Sequence, residues 1–160
     1  MEAHFLLDTN ICIHIRRRRP PTVLARFQQL QPGEAVLSVI TYGELVYGVE
    51  KSRLRDQATR QLAELAGLLP VMALPLSAGE FYASIRASLE AAGDMIGNND
   101  LWIAAHPKAA GLILVTRTSA DSAAFRGWKC RTGLADGAAG AIRDFVYGFP
   151  TFSADIKSML

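Results

Sequence analysis

Four short aliphatic segments punctuate the chain: His4–Leu7, Ala35–Ile40, Val71–Leu74 and Leu112–Thr116. Each adjoins a stretch whose apolar positions recur at helical spacing. Short apolar runs alternating with helical periods are the pattern of a parallel sheet buried on both faces. The expected fold class is therefore α/β, a central parallel sheet flanked by helices on both faces. The helices follow from their punctuation. Asn10–Arg18 begins at a capping Asn and stops before Pro20, where proline removes a donor and restricts the residue before it. Pro21–Leu30 opens on prolines and closes at Pro32 and Gly33. Thr41–Ser52 carries Leu45, Val46 and Val49 at core-facing spacing, and Arg55–Leu69 pairs with it as a helical arm. Ser77 followed by Glu80 reads as a capping box opening Ala78–Ala92, with Phe81, Ile85 and Leu89 on one stripe. Asn99–Ala110 is the last helix.

Composition bounds the class without naming a function. The 160 residues are 50% hydrophobic and 20% charged, enough apolar sequence for one domain with a real core, which excludes disorder, collagen and a disulfide-stapled miniprotein. The longest uncharged apolar stretches, such as Leu112–Val115, fall far short of the roughly 20 residues that span a bilayer. With no leader pattern at the start, the expectation is a soluble, cytoplasmic chain with no membrane partner. Cys12 and Cys130 have no partner at metal-ligand spacing and read as free thiols. The net charge of +2 is too small to declare a nucleic-acid binder. Its distribution is uneven, however. The basic run Arg16–Arg19 suits a helix C-terminus, and equally phosphate steering or an acidic partner surface. His4, His14 and His106 lack metal-ligand spacing and read as structural. Trp102 and Tyr42 could stack on bases, although an apolar packing face suits Trp102 better.

The chemistry is concentrated in three acids. Asp8 stands directly after the first strand, and in an open parallel sheet ligands collect outside the carboxyl ends of the strands. The weaker alternative is that it only caps the helix that begins near Asn10, a role that Thr9 or Asn10 could fill instead. Glu44 lies four residues after the second strand and shares a first helical turn with Thr41, a spacing that fits both a capping box and an inward-facing carboxylate. Asp100 sits in the first turn of a strongly apolar helix, where the dipole alone would favour it. Yet all three fall at strand ends and helix starts, on one end of the sheet. Crowded carboxylates repel unless a divalent cation lies between them, and hard oxygen ligands suit Mg²⁺ or Mn²⁺. Metal-dependent phosphodiester cleavage is the chemistry such a cluster supports.

The strand ending Leu-Leu-Asp8-Thr9-Asn10, the Thr41-x-x-Glu44-Leu45-x-x-Gly48 helix and the Ile96-Gly97-x-x-Asp100-x-x-Ile103-Ala104-Ala105-His106 segment resemble the PIN-domain ribonucleases, specifically the VapC toxins. The resemblance spans about residues 3–117 and involves three separated motifs in family order. It implies a PIN-like fold and an Mg²⁺- or Mn²⁺-dependent endoribonuclease of a type II toxin–antitoxin pair, held by a VapB-like antitoxin. By the same resemblance Asp8, Glu44 and Asp100 are the catalytic, metal-coordinating acids. Thr116 matches the family's hydroxyl residue after the last strand, in a supporting role. A homodimer is the default expectation, reinforced by the family and by apolar residues of the Leu45–Val49 stripe and the helical arm that a small domain would leave unburied.

The chain departs from the family pattern after residue 117, dividing it into a PIN-like core, 1–117, and an atypical segment, 118–160. Where the family places a fourth acid or amide stands Thr118, and Asp121, three residues on, is the nearby substitute in a supporting role. Small residues then accumulate and periodicity fades. A single-base shift of reading frame accounts for this better than divergence. Trp128 has one codon and with Lys129 must yield Glu, and permitted third bases turn Arg117 to Gly133 into a family-like ending with an Asn or Asp directly after Arg117. A chain so altered would be a PIN-fold protein that binds its antitoxin and cleaves poorly. Among rivals, a phosphoaspartyl enzyme needs a second acid near Asp8, where position 10 is Asn. A binding module would use all three acids only as caps.

Overall fold

The computed structural model describes residues 3–18 and 21–116. Arg19, Asp121, Cys130 and the whole 118–160 segment, with the frameshift expected there, lie outside the described residues. The elements run β1 (Phe5–Leu7), α1 (Thr9–Arg17), α2 (Pro21–Phe27), β2 (Ala35–Ser38), α3 (Val39–Glu50), α4 (Arg55–Leu68), β3 (Val71–Met72), α5 (Ala78–Ala92), α6 (Asn98–Ala110) and β4 (Ile113–Val115). The strands form one parallel sheet in the order β3-β2-β1-β4, the α/β architecture expected from the alternation. Leu6 pairs with Val36 on one side and Leu114 on the other.

The chain moves outward from β1 to β3 and then returns to lay β4 on β1's free side. With crossovers of one hand, that reversal sends the later helices to the opposite face. The core reflects it. Leu7, Leu37 and Val115 pack with α1, α2, α3 and α4 through Ile11, Ile15, Val23, Leu45, Val49, Leu62 and Leu65. Leu6, Val36 and Leu114, alternating with them along the strands, meet Ile103 of α6. α6 is joined to α5 through Ile85, Leu89, Leu101 and Ala105.

Several boundaries differ from the sequence expectation, each for a local reason. The second strand ends at Ser38 rather than Ile40, because the Ser38 hydroxyl accepts the Ile40 N–H at 3.2 Å and starts α3 there. Asp8, not Asn10, caps α1: its carboxylate accepts the Ile11 N–H at 2.7 Å. The Ser77–Glu80 capping box is not made. Ser77 is already helical, and the first amides of α5 bond to the Pro75 and Leu76 carbonyls instead. On α5, Ile85 and Leu89 are buried as expected, while Phe81 remains 37% exposed. The Leu45–Val49 stripe is also corrected. Leu45, Val49, Ala58, Leu62 and Leu65 close on one another within the core, leaving Val39, Tyr47, Leu54 and Leu68 as the large exposed apolar residues of this helix pair and its connection. Among the described residues no helix is long and apolar enough to cross a membrane.

Candidate active site at the carboxyl end of the sheet

The strand order reverses between β1 and β4, and the region outside the carboxyl ends at such a reversal is where open α/β sheets collect ligands. Asp8 leaves β1 there and Thr116 leaves β4, and the Thr116 hydroxyl donates to Asp8 Oδ2. The other carboxylate oxygen of Asp8 is the α1 cap. Capping and site placement are thus one arrangement: the helix start fixes the carboxylate that meets Thr116 at the strand-order reversal. Asp8 is only 2% exposed. Burial above all, and the neighbouring Glu44 charge, push its pKa up to about 6 against the hydrogen bonds from Thr116 and Ile11.

Glu44 reaches the same place from α3. With the helix starting at Val39, Thr41 lies within its first turn and forms no box with Glu44; its hydroxyl is buried without a partner among the described residues. Glu44 instead accepts the Thr9 hydroxyl on Oε2 and the Asn99 amide on Oε1, the latter at 2.9 Å. Of the two uses its spacing allowed, the structure shows the inward-facing one. Burial raises its pKa, opposed by those two bonds.

Asp100 arrives on the first turn of α6, 5% exposed. Its pKa is pushed up to about 7 by burial, then by Glu44 and Asp8, with a Gly97 backbone hydrogen bond working the other way. Its Oδ1 is buried with no hydrogen-bond partner among the described residues. Oδ2 lies where a side chain at Gly97 would be: a Cβ built there would meet it at 2.8 Å. Position 97 must therefore be glycine for this carboxylate to sit as it does.

The three acids and Thr116 form one electrostatically coupled group, while Asp121 lies outside the described residues. Sequence reasoning passed over Thr9 and Asn99, which hold Glu44. Each flanks one of the acids it did single out, which was the available signal. The group can accept cations or protons and is held by donors that leave Asp100 Oδ1 open. Among the described residues no three His, Cys, Asp or Glu side chains are arranged as a ready cage for an ion.

The other singled-out residues make none of the hydrogen bonds that hold the three carboxylates. Trp102 stacks on Tyr82, ring centroids 4.1 Å apart, and packs with the α5–α6 cluster, its apolar use. Tyr42 packs against the larger core. Cys12 is a buried free thiol whose pKa burial raises further. Arg18 ends α1 in the left-handed conformation, and at 1.5 Å per residue Arg17 stands roughly 12 Å along the helix from its Asp8 end. His106 is fully buried.

A model of the PIN-domain family matches residues 5–119. Among curated proteins, a Haemophilus influenzae protein named ribonuclease VapC2 is 38% identical over 112 residues, 70% of this chain and 84% of that one. A Shigella flexneri protein named tRNA(fMet)-specific endonuclease VapC is 34% identical over 117 residues, 73% and 88% of the two chains. Among solved structures, a chain of the Rickettsia felis VapBC2 complex, bound to a promoter DNA fragment, has a TM-score of 0.66 at 32% identity, covering 74% of this chain and 89% of that one. VapBC-1 from nontypeable Haemophilus influenzae gives 0.63 at 35% identity, covering 72% and 86%.

Proposed function

Because the chain belongs to the PIN-domain family, among the VapC ribonucleases, we propose that its work is done by Asp8, Glu44 and Asp100 as the acids of a divalent-metal-dependent endoribonuclease. It is the toxin of a type II toxin–antitoxin pair, with a VapB-like antitoxin as partner. The observation that carries the assignment of the site is the gathering of the three acids at the strand-order reversal, each raised in pKa by burial, with Glu44 adding to the rise at Asp8 and both Glu44 and Asp8 adding to it at Asp100.

The residues fit Mg²⁺ or Mn²⁺. The donor set is all carboxylate oxygen, the Asp100 Oδ1 is buried and unpartnered among the described residues, and a cation would offset the burial that raises all three groups and the added repulsion at Asp8 and Asp100. Bound there, such an ion supplies positive charge to a phosphate and lowers the pKa of a water nucleophile. The rest is the chain's own work. The Ile11 amide and Thr116 hydroxyl orient Asp8, Thr9 and Asn99 orient Glu44, and Gly97 leaves room for Asp100. Preorganised carboxylates of this kind place substrate and ion without reorganisation during the reaction. Asp121 and the altered ending would matter for the fourth position of the family pattern.

RNA is the substrate class, and a homodimer is the assembly we expect, with exposed Tyr47, Leu54 and Leu68 as apolar surface for it. The test is cleavage of total RNA and of a tRNA pool by the antitoxin-free chain, with Mg²⁺ or Mn²⁺ and with EDTA. Asp8→Asn and a version carrying the family-like ending run alongside. Metal-dependent cleavage lost in Asp8→Asn is the expected result. Cleavage only by the version with the restored ending would instead make this chain an antitoxin-binding scaffold, and wild-type cleavage by Asp8→Asn would remove the site.

A further inference from the structure

Ser38 joins more of the structure than a helix cap requires. It closes β2, and strand alternation puts it on the same face as Val36, the face that α6 covers through Ile103. Three residues beyond Ile103, His106 is fully buried with Nδ1 3.0 Å from Ser38 Oγ. The same oxygen accepts the Ile40 N–H that opens α3. One hydroxyl thus links the sheet, the first turn of the helix that carries Glu44, and the helix that carries Asn99 and Asp100.

The histidine is an expensive way to fill that space. Its Nε2 is buried without a partner among the described residues, so one ring nitrogen goes unsatisfied, and burial lowers its pKa. An apolar residue of similar size would pack between α6 and the sheet without that cost. What only an imidazole or amide supplies there is a directional bond to Ser38.

We propose that His106 is a positioning residue: through Ser38 it fixes α6 against the start of α3, and so holds Asn99 and Asp100 in register with Glu44. The link is direct in the fold, since α3 and α6 meet again at the 2.9 Å bond between Asn99 and Glu44. The consequence for catalysis rests on the ribonuclease function proposed above; the mechanical claim does not.

The test compares wild type with His106→Leu, His106→Phe and His106→Asn. It reads the Asn99 side-chain amide resonances by NMR in the metal-free protein, and kcat and KM for RNA cleavage. In wild type the bond to Glu44 is expected to shift one Asn99 amide proton downfield. His106→Leu is expected to lose that shift and to lower kcat by about tenfold or more, with KM little changed, because small misplacements of reacting groups are that costly. His106→Asn, whose amide can reach Ser38, restores both. Should His106→Leu fail to fold, His106→Phe, which fills the site without a hydrogen-bonding atom and leaves the Ser38 cap of α3 in place, decides. A folded His106→Leu with the wild-type Asn99 resonance and kcat, changed only in melting temperature, would overturn the proposal. If wild type itself cleaves no RNA, the proposed function falls and the Asn99 resonance alone decides the positioning claim.

Discussion

Replacing Asp8 with Asn should make the metal-free protein more stable while removing its activity, an uncommon pairing that follows from the environment of this carboxylate. The substitution keeps the cap, since Asn and Asp serve equally at that position and the amide oxygen can accept the Ile11 N–H. What it removes is a charge. Below pH 3.8 Asp8 is neutral folded and unfolded, and nothing is gained. Between 3.8 and about 6 the unfolded chain releases its proton while the folded one keeps it, so wild-type stability falls as pH rises, and above that range the loss is complete. At about 1.4 kcal/mol per pH unit the loss amounts to about 3 kcal/mol. Desolvating the amide returns part of it, leaving an expected gain of roughly 1–3 kcal/mol for Asp8→Asn at pH 8. Urea denaturation in EDTA at pH 4 and pH 8 measures this directly. The two proteins should be nearly equal at pH 4, with the variant ahead at pH 8. A variant destabilised at pH 8, or a gap of the same size at both pH values, would refute the account of Asp8 as a buried carboxylate under repulsion.

Three further outcomes follow from the same geometry. Mg²⁺ at pH 8 should raise the wild-type melting temperature and leave Asp8→Asn almost unmoved, and at pH 4.5, where Asp8 and Asp100 hold their protons, it should do little to either; calorimetry decides. Gly97→Ala should cost at least tenfold in cleavage while changing stability by about 1 kcal/mol or less, because its Cβ displaces the Asp100 carboxylate rather than the backbone; kinetics beside thermal melts separate the two effects. Ile103→Ala, emptying a 1% exposed site between α6 and the sheet, should cost about 2–5 kcal/mol in urea denaturation, and a loss below 1 kcal/mol would mean that α6 is not anchored there.

The sequence by itself determined the element types, the bounds of α5, the placement of Asp8 after a strand and of Asp100 in a helical first turn, and the resemblance that named the family. These are local or periodic properties, written within a few consecutive residues. It misplaced the start of α3 and the cap of α1 because several nearby side chains could cap, and the winner depends on which of them the sheet leaves free. It also credited the Leu45–Val49 stripe with an outside partner, since periodicity tells which face is apolar and says nothing of what covers it. Only the tertiary structure decided that Thr116 donates to Asp8, 108 residues away, that Thr9 and Asn99 grip Glu44 across 35 and 55 residues, and that His106 bonds Ser38 across 68. Those pairs depend on the β3-β2-β1-β4 order and on α6 crossing the sheet. Strand order is set by the packing of the whole chain, so no short window of residues contains it.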